Sequence, residues 1–525
     1  MAIRLQGFTG EFPRTDPYYL TDQAAAHTMN AALRRGSLQP FRQRSLTQHT
    51  FPAARTSIYL HGSEWIGWDH DTDVVPGPVA EDRLYITHGN GQPTMRISGS
   101  EVQLNLPNPT QKPSITINGT VDQDEAEYVA YAWTWITSLG EETAPSPLSN
   151  SALWSDNCTV TLGNLPGSPH VTNRFVSGKR IYRAITGSSG ATELYFVAEI
   201  GPADTGYVHN INTAPIAEAI TTKDFDPAPT NLRGLTAMPN GMMAGFRGKE
   251  LLFCEPYQPH AWPGAYRLTL NDTIIGLAAF GSSLAVLTTG LPYIAQGLHP
   301  DAIALEKLEQ PFPCMSKRGI VDMGYGAVFP STDGLVMVTQ QGAQLISAGL
   351  WTREQWLAMR PTTMRAARIG HLYAVSYLPA GGARSLVLID PNAPDSGVWR
   401  SDEDAADLFT HLESGNTYLI DTTGTQVRIF DDPSRPKKSY TWKSKPYRLP
   451  VAQSFGAIRI ETDGTNGEGI TANIYADGNL FHSVSLKDQN TRLPAGAYRT
   501  WQVELTGTAT VLGVHIGRTF AEIAG

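Results

Sequence analysis

Gly281-Ser282-Ser283-Leu284-Ala285-Val286-Leu287-Thr288-Thr289-Gly290-Leu291-Pro292-Tyr293-Ile294-Ala295 holds two short apolar runs separated by a glycine turn, the sequence form of a β-hairpin. The same text recurs. Gly326 precedes Ala327-Val328-Phe329, a turn at Thr332-Asp333-Gly334, and Leu335-Val336-Met337-Val338. Gly415 precedes Thr417-Tyr418-Leu419-Ile420, a turn at Thr423-Gly424, and Val427-Arg428-Ile429-Phe430. Gly281, Gly326, Gly370 and Gly415 stand 45, 44 and 45 residues apart, and Gly62 and Gly248 open similar text. A unit of this length is one four-stranded propeller blade. The inner runs are apolar on both faces, as strands stacked between neighbouring sheets require. The spacing predicts an all-β protein with a β-propeller of about six blades, five or seven also fitting. An ordinary β-sandwich with coincidental spacing is the alternative. A propeller carries no built-in reaction; it is a scaffold with an axial channel and many loops.

The 525 residues are too many for one compact core and point to about three domains. Hydrophobic residues make up 41% and charged residues 17%, with 49 Gly and 36 Pro, a composition that supplies turns for many short strands. No apolar run is long enough to predict a membrane-spanning segment. Met1-Ala2-Ile3-Arg4-Leu5-Gln6-Gly7 lacks the apolar stretch of a signal peptide, and Cys158, Cys254 and Cys314 form neither a disulfide framework nor a zinc site, so folding in a reducing cytosol is expected.

Five regions are expected. Residues 1–50 are a leader, in which Thr21-Asp22-Gln23-Ala24-Ala25-Ala26-His27-Thr28-Met29-Asn30-Ala31-Ala32-Leu33 reads as a short helix capped by Thr21 or Asp22 and ended by Gly36. Residues 51–110 form a first blade, with Ser57-Ile58-Tyr59-Leu60, Glu64-Trp65-Ile66-Gly67-Trp68 and Arg83-Leu84-Tyr85-Ile86-Thr87. Residues 111–230 lose the repeat. Tyr128-Val129-Ala130-Tyr131-Ala132-Trp133-Thr134-Trp135-Ile136-Thr137 alternates at period 2 there, predicting an inserted immunoglobulin- or fibronectin-like β-sandwich. Residues 231–438 continue the propeller. Residues 439–525 alternate again and predict a C-terminal β-sandwich with Trp442 in its core.

The net charge is −9, and the basic residues gather in two places: Arg34-Arg35 with Arg42 and Arg44, and Lys437-Lys438 with Lys443 and Lys445. A protein that grips DNA neutralises phosphates with basic clusters. Here the patches read as solvated or subunit-facing surface, so duplex DNA is expected to pass by without being held. The acidic run Ser401-Asp402-Glu403-Asp404-Ala405-Ala406-Asp407 reads as a solvated loop.

Other motifs fall short of chemistry. Asp69-His70-Asp71-Thr72-Asp73 opens like a calcium loop, but Val74 stands where glycine is needed and Ala80 where the bidentate glutamate is needed. Asp395-Ser396-Gly397-Val398-Trp399 matches part of the Asp-box turn of sialidase propellers, with Ala393 in place of the serine. His260 beside Trp262 and His299 before Pro300 read as loop residues. Asn118-Gly119-Thr120 and Asn157-Cys158-Thr159 match the glycosylation triplet, which is irrelevant to a cytosolic chain. No nucleophile elbow, phosphate loop, dinucleotide fingerprint or zinc-protease helix is present, so no catalytic, cofactor-binding or metal residue is assigned.

Several phrases resemble one family in their order along the chain. They are Gly7-Phe8-Thr9-Gly10-Glu11-Phe12-Pro13-Arg14, Leu20-Thr21-Asp22-Gln23-Ala24-Ala25, Thr134-Trp135-Ile136-Thr137-Ser138-Leu139-Gly140-Glu141-Glu142 and Phe246-Arg247-Gly248-Lys249-Glu250-Leu251. The longest runs from Gly290-Leu291-Pro292-Tyr293 through Ser316-Lys317-Arg318-Gly319-Ile320-Val321-Asp322-Met323-Gly324 to Ser331-Thr332-Asp333-Gly334-Leu335-Val336, and Tyr440-Thr441-Trp442-Lys443-Ser444-Lys445 completes the set. Together they resemble the tail nozzle, or tail tubular protein B, family of short-tailed bacteriophages. The resemblance implies a virion tail subunit made in the host cytoplasm. It implies a self-assembled ring, a hexamer in expectation, below the head-to-tail adaptor, which guides DNA out and helps seat tail fibres or spikes. It implies no enzyme and no cofactor. The chain is shorter than the best-known nozzles, so large lateral insertions are not expected. The alternatives are a glycan-binding or glycan-cleaving propeller of receptor recognition, which needs a solvent-facing cluster of aromatic rings and carboxylates, and a host scaffold protein.

Overall fold

A computed structural model describes residues 2–168, 174–186, 192–213, 217–464 and 469–523. The chain divides into two compact units, Met1–Asp71 with Ala278–Ile294 and Glu306–Gly525, and Thr72–Leu277 with Ala295–Leu305. The protein is all-β and of the propeller class: six four-stranded sheets are built from strands that mostly follow one another in sequence. We number these blades 1 to 6 in chain order.

The first unit holds three whole blades. Blade 4 is Val321–Asp322, Ala327–Pro330, Leu335–Thr339 and Gly342–Leu345; blade 5 is Arg365–Ile369, Leu372–Tyr377, Ser385–Ile389 and Trp399–Ser401. Blade 6 is Asp407–Thr410, Thr417–Ile420 and Gln426–Ile429, and its fourth strand is Ser45–Thr50, from the other end of the chain. Ala327–Pro330, Leu372–Tyr377 and Thr417–Ile420 are buried at every residue, which explains their lack of alternation. Each large aliphatic side chain so buried contributes about 1.5–3 kcal/mol.

The same unit contains the C-terminal sandwich. One sheet is Ile3–Gln6, Val511–Gly517, Ala457–Thr462 and Asn490–Arg492. The other carries Ala25–Met29, Tyr440–Ser444, Tyr498–Gly507, Ile470–Ala476 and Asn479–Val484, with Tyr447–Gln453 alongside Tyr498–Gly507. Trp442 is fully buried between them, edge-on to Phe8 at 4.9 Å, and its indole N–H donates to the Thr9 carbonyl at 3.1 Å.

In the second unit, blade 1 is Thr72–Pro76, Arg83–His88, Thr94–Ile97 and Ser100–Gln103, and blade 2 is Arg233–Ala237, Met243–Arg247, Glu250–Phe253 and Arg267–Thr269. Between them in sequence lies a sandwich of three strands (Ser114–Asn118, Thr159–Gly163, Tyr207–His209) and four (Ala152–Trp154, Glu127–Thr137, Val176–Thr186, Thr192–Ile200). Trp133 and Trp135 stand edge to face at 4.9 Å in this region. Blade 3, Ile274–Phe280, Ser283–Thr288, Tyr293–Gln296 and Ala304–Lys307, has residues in both units.

Three expectations are corrected. The leader has no helix at residues 21–33; Ala25–Met29 and Ala31–Ala32 are strands. Ala25 faces Ser444 and Thr28 faces Trp442, so a tertiary ladder overrides the helix propensity of alanine. Asn30, at φ 57, interrupts the run in a conformation no helix tolerates. Second, residues 51–110 do not make one blade. Ser57–His61 and Glu64–Trp68 form a separate two-stranded ribbon turned at Gly62, and the four-stranded sheet lies within residues 72–103. Third, Gly248 turns between the second and third strands of blade 2, whereas Gly281, Gly370 and Gly415 turn between first and second strands, which accounts for the short interval from Gly248 to Gly281.

Candidate functional site

The acidic run is a seam and not a solvated loop. Glu403 is buried at 3% exposure and accepts from Arg44 Nη1 at 2.7 Å and Lys438 Nζ at 2.8 Å; Lys438 also binds Asp402. Asp404 pairs with Arg428 at 3.0 Å. Asp407 is buried 3.5 Å from Arg365; burial pushes its carboxyl above the usual range against the pull of Arg318 and Arg365. The two basic patches meet here, since Arg42 bridges to Lys437 in the backbone. Three further members are paired to carboxylates: Arg34 with Asp431 at 3.1 Å, Lys445 with Asp22 at 2.7 Å, and Lys443 with Glu504 at 3.5 Å. Leader, blade and sandwich are thus joined by opposite charges within the first unit.

Asp395-Ser396-Gly397-Val398-Trp399 is the dock for the leader. Gly10 N–H donates to Ser396 O at 2.7 Å, and Glu11 and Val398 exchange two backbone bonds of 2.9 Å. Gly397, at φ +77, brings its backbone so near Gly10 that a Cβ there would meet it at 2.7 Å. Only glycine fits. The Glu11 carboxylate behind this contact is buried and accepts from Thr28 N–H at 2.8 Å, Arg400 Nε at 2.6 Å and His27 Nδ1 at 3.2 Å. Burial pushes its carboxyl up, but the His27, Arg400 and Thr28 contacts outweigh that and hold it below the usual range.

The members of the calcium-like loop go separate ways. Asp71 binds Lys317 Nζ at 2.6 Å and Arg318, while Asp69, exposed, binds its neighbour His70 at 2.7 Å. Among the described residues, no three His, Cys, Asp or Glu side chains converge on a metal position. His299 is an exposed loop residue at 2.6 Å from Asp301. His260 is not: it is 3% exposed, its Nε2 lies 3.0 Å from Glu142 O, and it neighbours the pair Glu141–Arg174, joined at 2.9 Å. The three cysteines are buried thiols, and burial pushes Cys254 and Cys314 up to about 12. Thiolate chemistry is therefore not available to those two near neutrality.

A cavity of about 400 Å³ lies in the second unit between residues 221–225 and the loop from Glu255 to Tyr266. Phe225 and Tyr266 give it aromatic walls, with Pro256 and Pro263; Asp224, Glu255 and Gln258 give it polar ones. Tyr266 donates to Glu255 Oε2 at 2.9 Å. In sequence, only His260 and Trp262 stand out in this loop. The available signal was its density of Pro and aromatic residues, Pro256-Tyr257-Gln258-Pro259-His260-Ala261-Trp262-Pro263, in a chain otherwise made of strands and short turns.

No protein-family model matches the chain, and no curated protein is significantly similar to it. Among solved structures it is similar to the Pan2 WD40 domain of Neurospora crassa (10% identity, 63% of this chain and 90% of that chain, TM-score 0.27). It is also similar to YCF48 of Cyanidioschyzon merolae (10%, 74% and 98%, TM-score 0.22) and to apo AztD of Citrobacter koseri (11%, 72% and 99%, TM-score 0.27). Scores of this size carry no argument, and the fold assignment rests on the six four-stranded sheets themselves.

Proposed function

We propose that this chain is a structural subunit of a bacteriophage tail, forming the nozzle ring below the adaptor through which genomic DNA leaves. The observation that carries the reading is the ordered set of phrases resembling the tail nozzle family, which runs from the leader to Lys445. The structure adds a physical rationale. The leader phrase Gly7–Arg14 supplies the backbone that docks on blade 5, and the last phrase supplies the strand with Trp442. These two phrases thus tie modules together, as a subunit that must hold its shape needs. The proposed partners are further copies of the chain, the adaptor, fibres or spikes, and DNA in transit; the place is the virion tail. The Lys and Arg residues paired to carboxylates in the seam are not available to phosphates, which suits a conduit that releases its cargo.

Native mass spectrometry and low-resolution electron microscopy of purified particles test the proposal. A closed ring of this chain with a hole of about 20 Å, enough for one duplex, supports it. A monomer that is also missing from particles sinks it in favour of the glycan-active propeller.

A further inference from the structure

The pocket bounded by Phe225 and Tyr266 has a definite charge sign. Two carboxylates, Asp224 and Glu255, line it, and no Lys or Arg is among its lining residues. Of the basic groups nearby, Arg267 lies 3.4 Å from Asp226, and His299, whose ring is 6.2 Å from that of Tyr266, lies 2.6 Å from Asp301, while Lys223 is exposed next to Asp224 in sequence. The Tyr266 hydroxyl senses the same field. Burial first, then Glu255, Asp301 and Asp224, push it up to about 12. Aromatic faces attract cations through their quadrupole, and a carboxylate beside them adds a directed charge. Tyr257, next to the lining residues Pro256 and Gln258, stands at φ +58 with its exposed ring over Gly241, where a Cβ would meet it at 2.5 Å.

We propose that this pocket takes the ammonium head of a primary alkylamine, held between the Phe225 and Tyr266 rings and the carboxylates of Asp224 and Glu255. The proposal goes beyond the tail reading and does not depend on it. A free polyamine and a lysine side chain of a partner protein present the same head, so both are used as probes. A neutral saccharide is the competing occupant, since rings and carboxylates also suit C–H faces and hydroxyls.

The test is titration of the intact chain, at low ionic strength, with spermidine, Nα-acetyl-lysine methylamide and methyl glucoside, read by calorimetry and ligand-observed NMR. Glu255→Gln retains an acceptor for the Tyr266 hydroxyl, and Asp224→Asn changes an exposed residue, so both variants are expected to fold; circular dichroism checks this. Glu413→Gln removes the same charge from an exposed residue following blade 6's first strand. Saturable binding of an amine is expected, weakened about tenfold by E255Q with D224N together and unchanged by E413Q. Tighter spermidine binding assigns the site to free polyamine; binding of the lysine derivative at least as tight assigns it to a partner's lysine. Equal weakening by E413Q would show bulk attraction to an acidic protein, and that overturns the proposal. So does glucoside binding as tight as either amine, or no saturation by about 10 mM amine.

Discussion

Arg174 has no exposed side-chain surface, and its guanidinium is held by the Glu141 carboxylate and the Leu104 carbonyl. Removing one partner of such a pair strands a buried charge, so Arg174→Ala is expected to destabilise the second unit by about 3–5 kcal/mol, read from the urea midpoint. Replacing both, with Arg174→Met and Glu141→Leu, is expected to recover much of that loss; a double variant as weak as the single one would refute this account. His209 offers a pH-dependent case. It is buried with Nδ1 at 2.8 Å from the Tyr131 hydroxyl, and burial first, then Arg183, lowers its pKa to about 4. The unfolded chain keeps the ordinary value near 6.5, so it binds the extra proton first as pH falls. The contribution is fully present above about pH 6.5 and is lost progressively down to about pH 4, at up to ~1.4 kcal/mol per unit. Denaturant midpoints between pH 6.5 and 5, above most carboxylate titrations, are expected to fall in the native chain and to stay flatter in His209→Gln.

At the scale of elements, the strands of the blades were legible because their signals are local: a glycine turn, then a run apolar at every position. Tyr128–Thr137 was legible for the same reason, by alternation. The strand Ala25–Met29 was not, because its pairing partners sit at Thr441–Ser444, and no reading of neighbours reports them. Ser45–Thr50 was hidden equally, being the fourth strand of blade 6 through contacts with residues 426–429. The acidic run misled because charge in sequence says nothing of the Arg44 and Lys438 side chains that bury Glu403. Of the candidate site, single residues were visible and the pocket was not, since it needs two segments about 30 positions apart. Trp442→Ala should cost about 3–5 kcal/mol by opening a cavity against Phe8, seen as a lower melting temperature. Deleting residues 2–50 uncovers the ladders of Gln426–Ile429, Tyr440–Ser444 and Val511–Gly517. Open edges recruit other chains, so size-exclusion chromatography is expected to show aggregates; a soluble, cooperatively melting product would refute the strands' role.

For the molecule as a whole, the conduit proposal sets an expectation for DNA. With the seam cations paired, gel-shift assays at about 150 mM salt should show no complex at micromolar protein, and binding there would mean that another surface neutralises phosphates. The joining of the chain's two extremities, Ile3 opposite Ile516 and Ser45 opposite Ile429, also governs how the protein is made. At ~5–20 residues per second, roughly 25–100 s of synthesis separate the emergence of the first strand from that of its mate. Throughout that interval the strand Ile3–Gln6 is an unpaired β-former beside a growing polypeptide, and pairings so remote in sequence form slowly. Blades 4, 5 and 6 have all their strands once Ile429 is made, whereas the C-terminal sandwich waits for Val511–Gly517. A chain truncated before residue 511 is therefore expected to keep Ile3–Gln6 without its partner strand, an open edge that Val511–Gly517 otherwise covers.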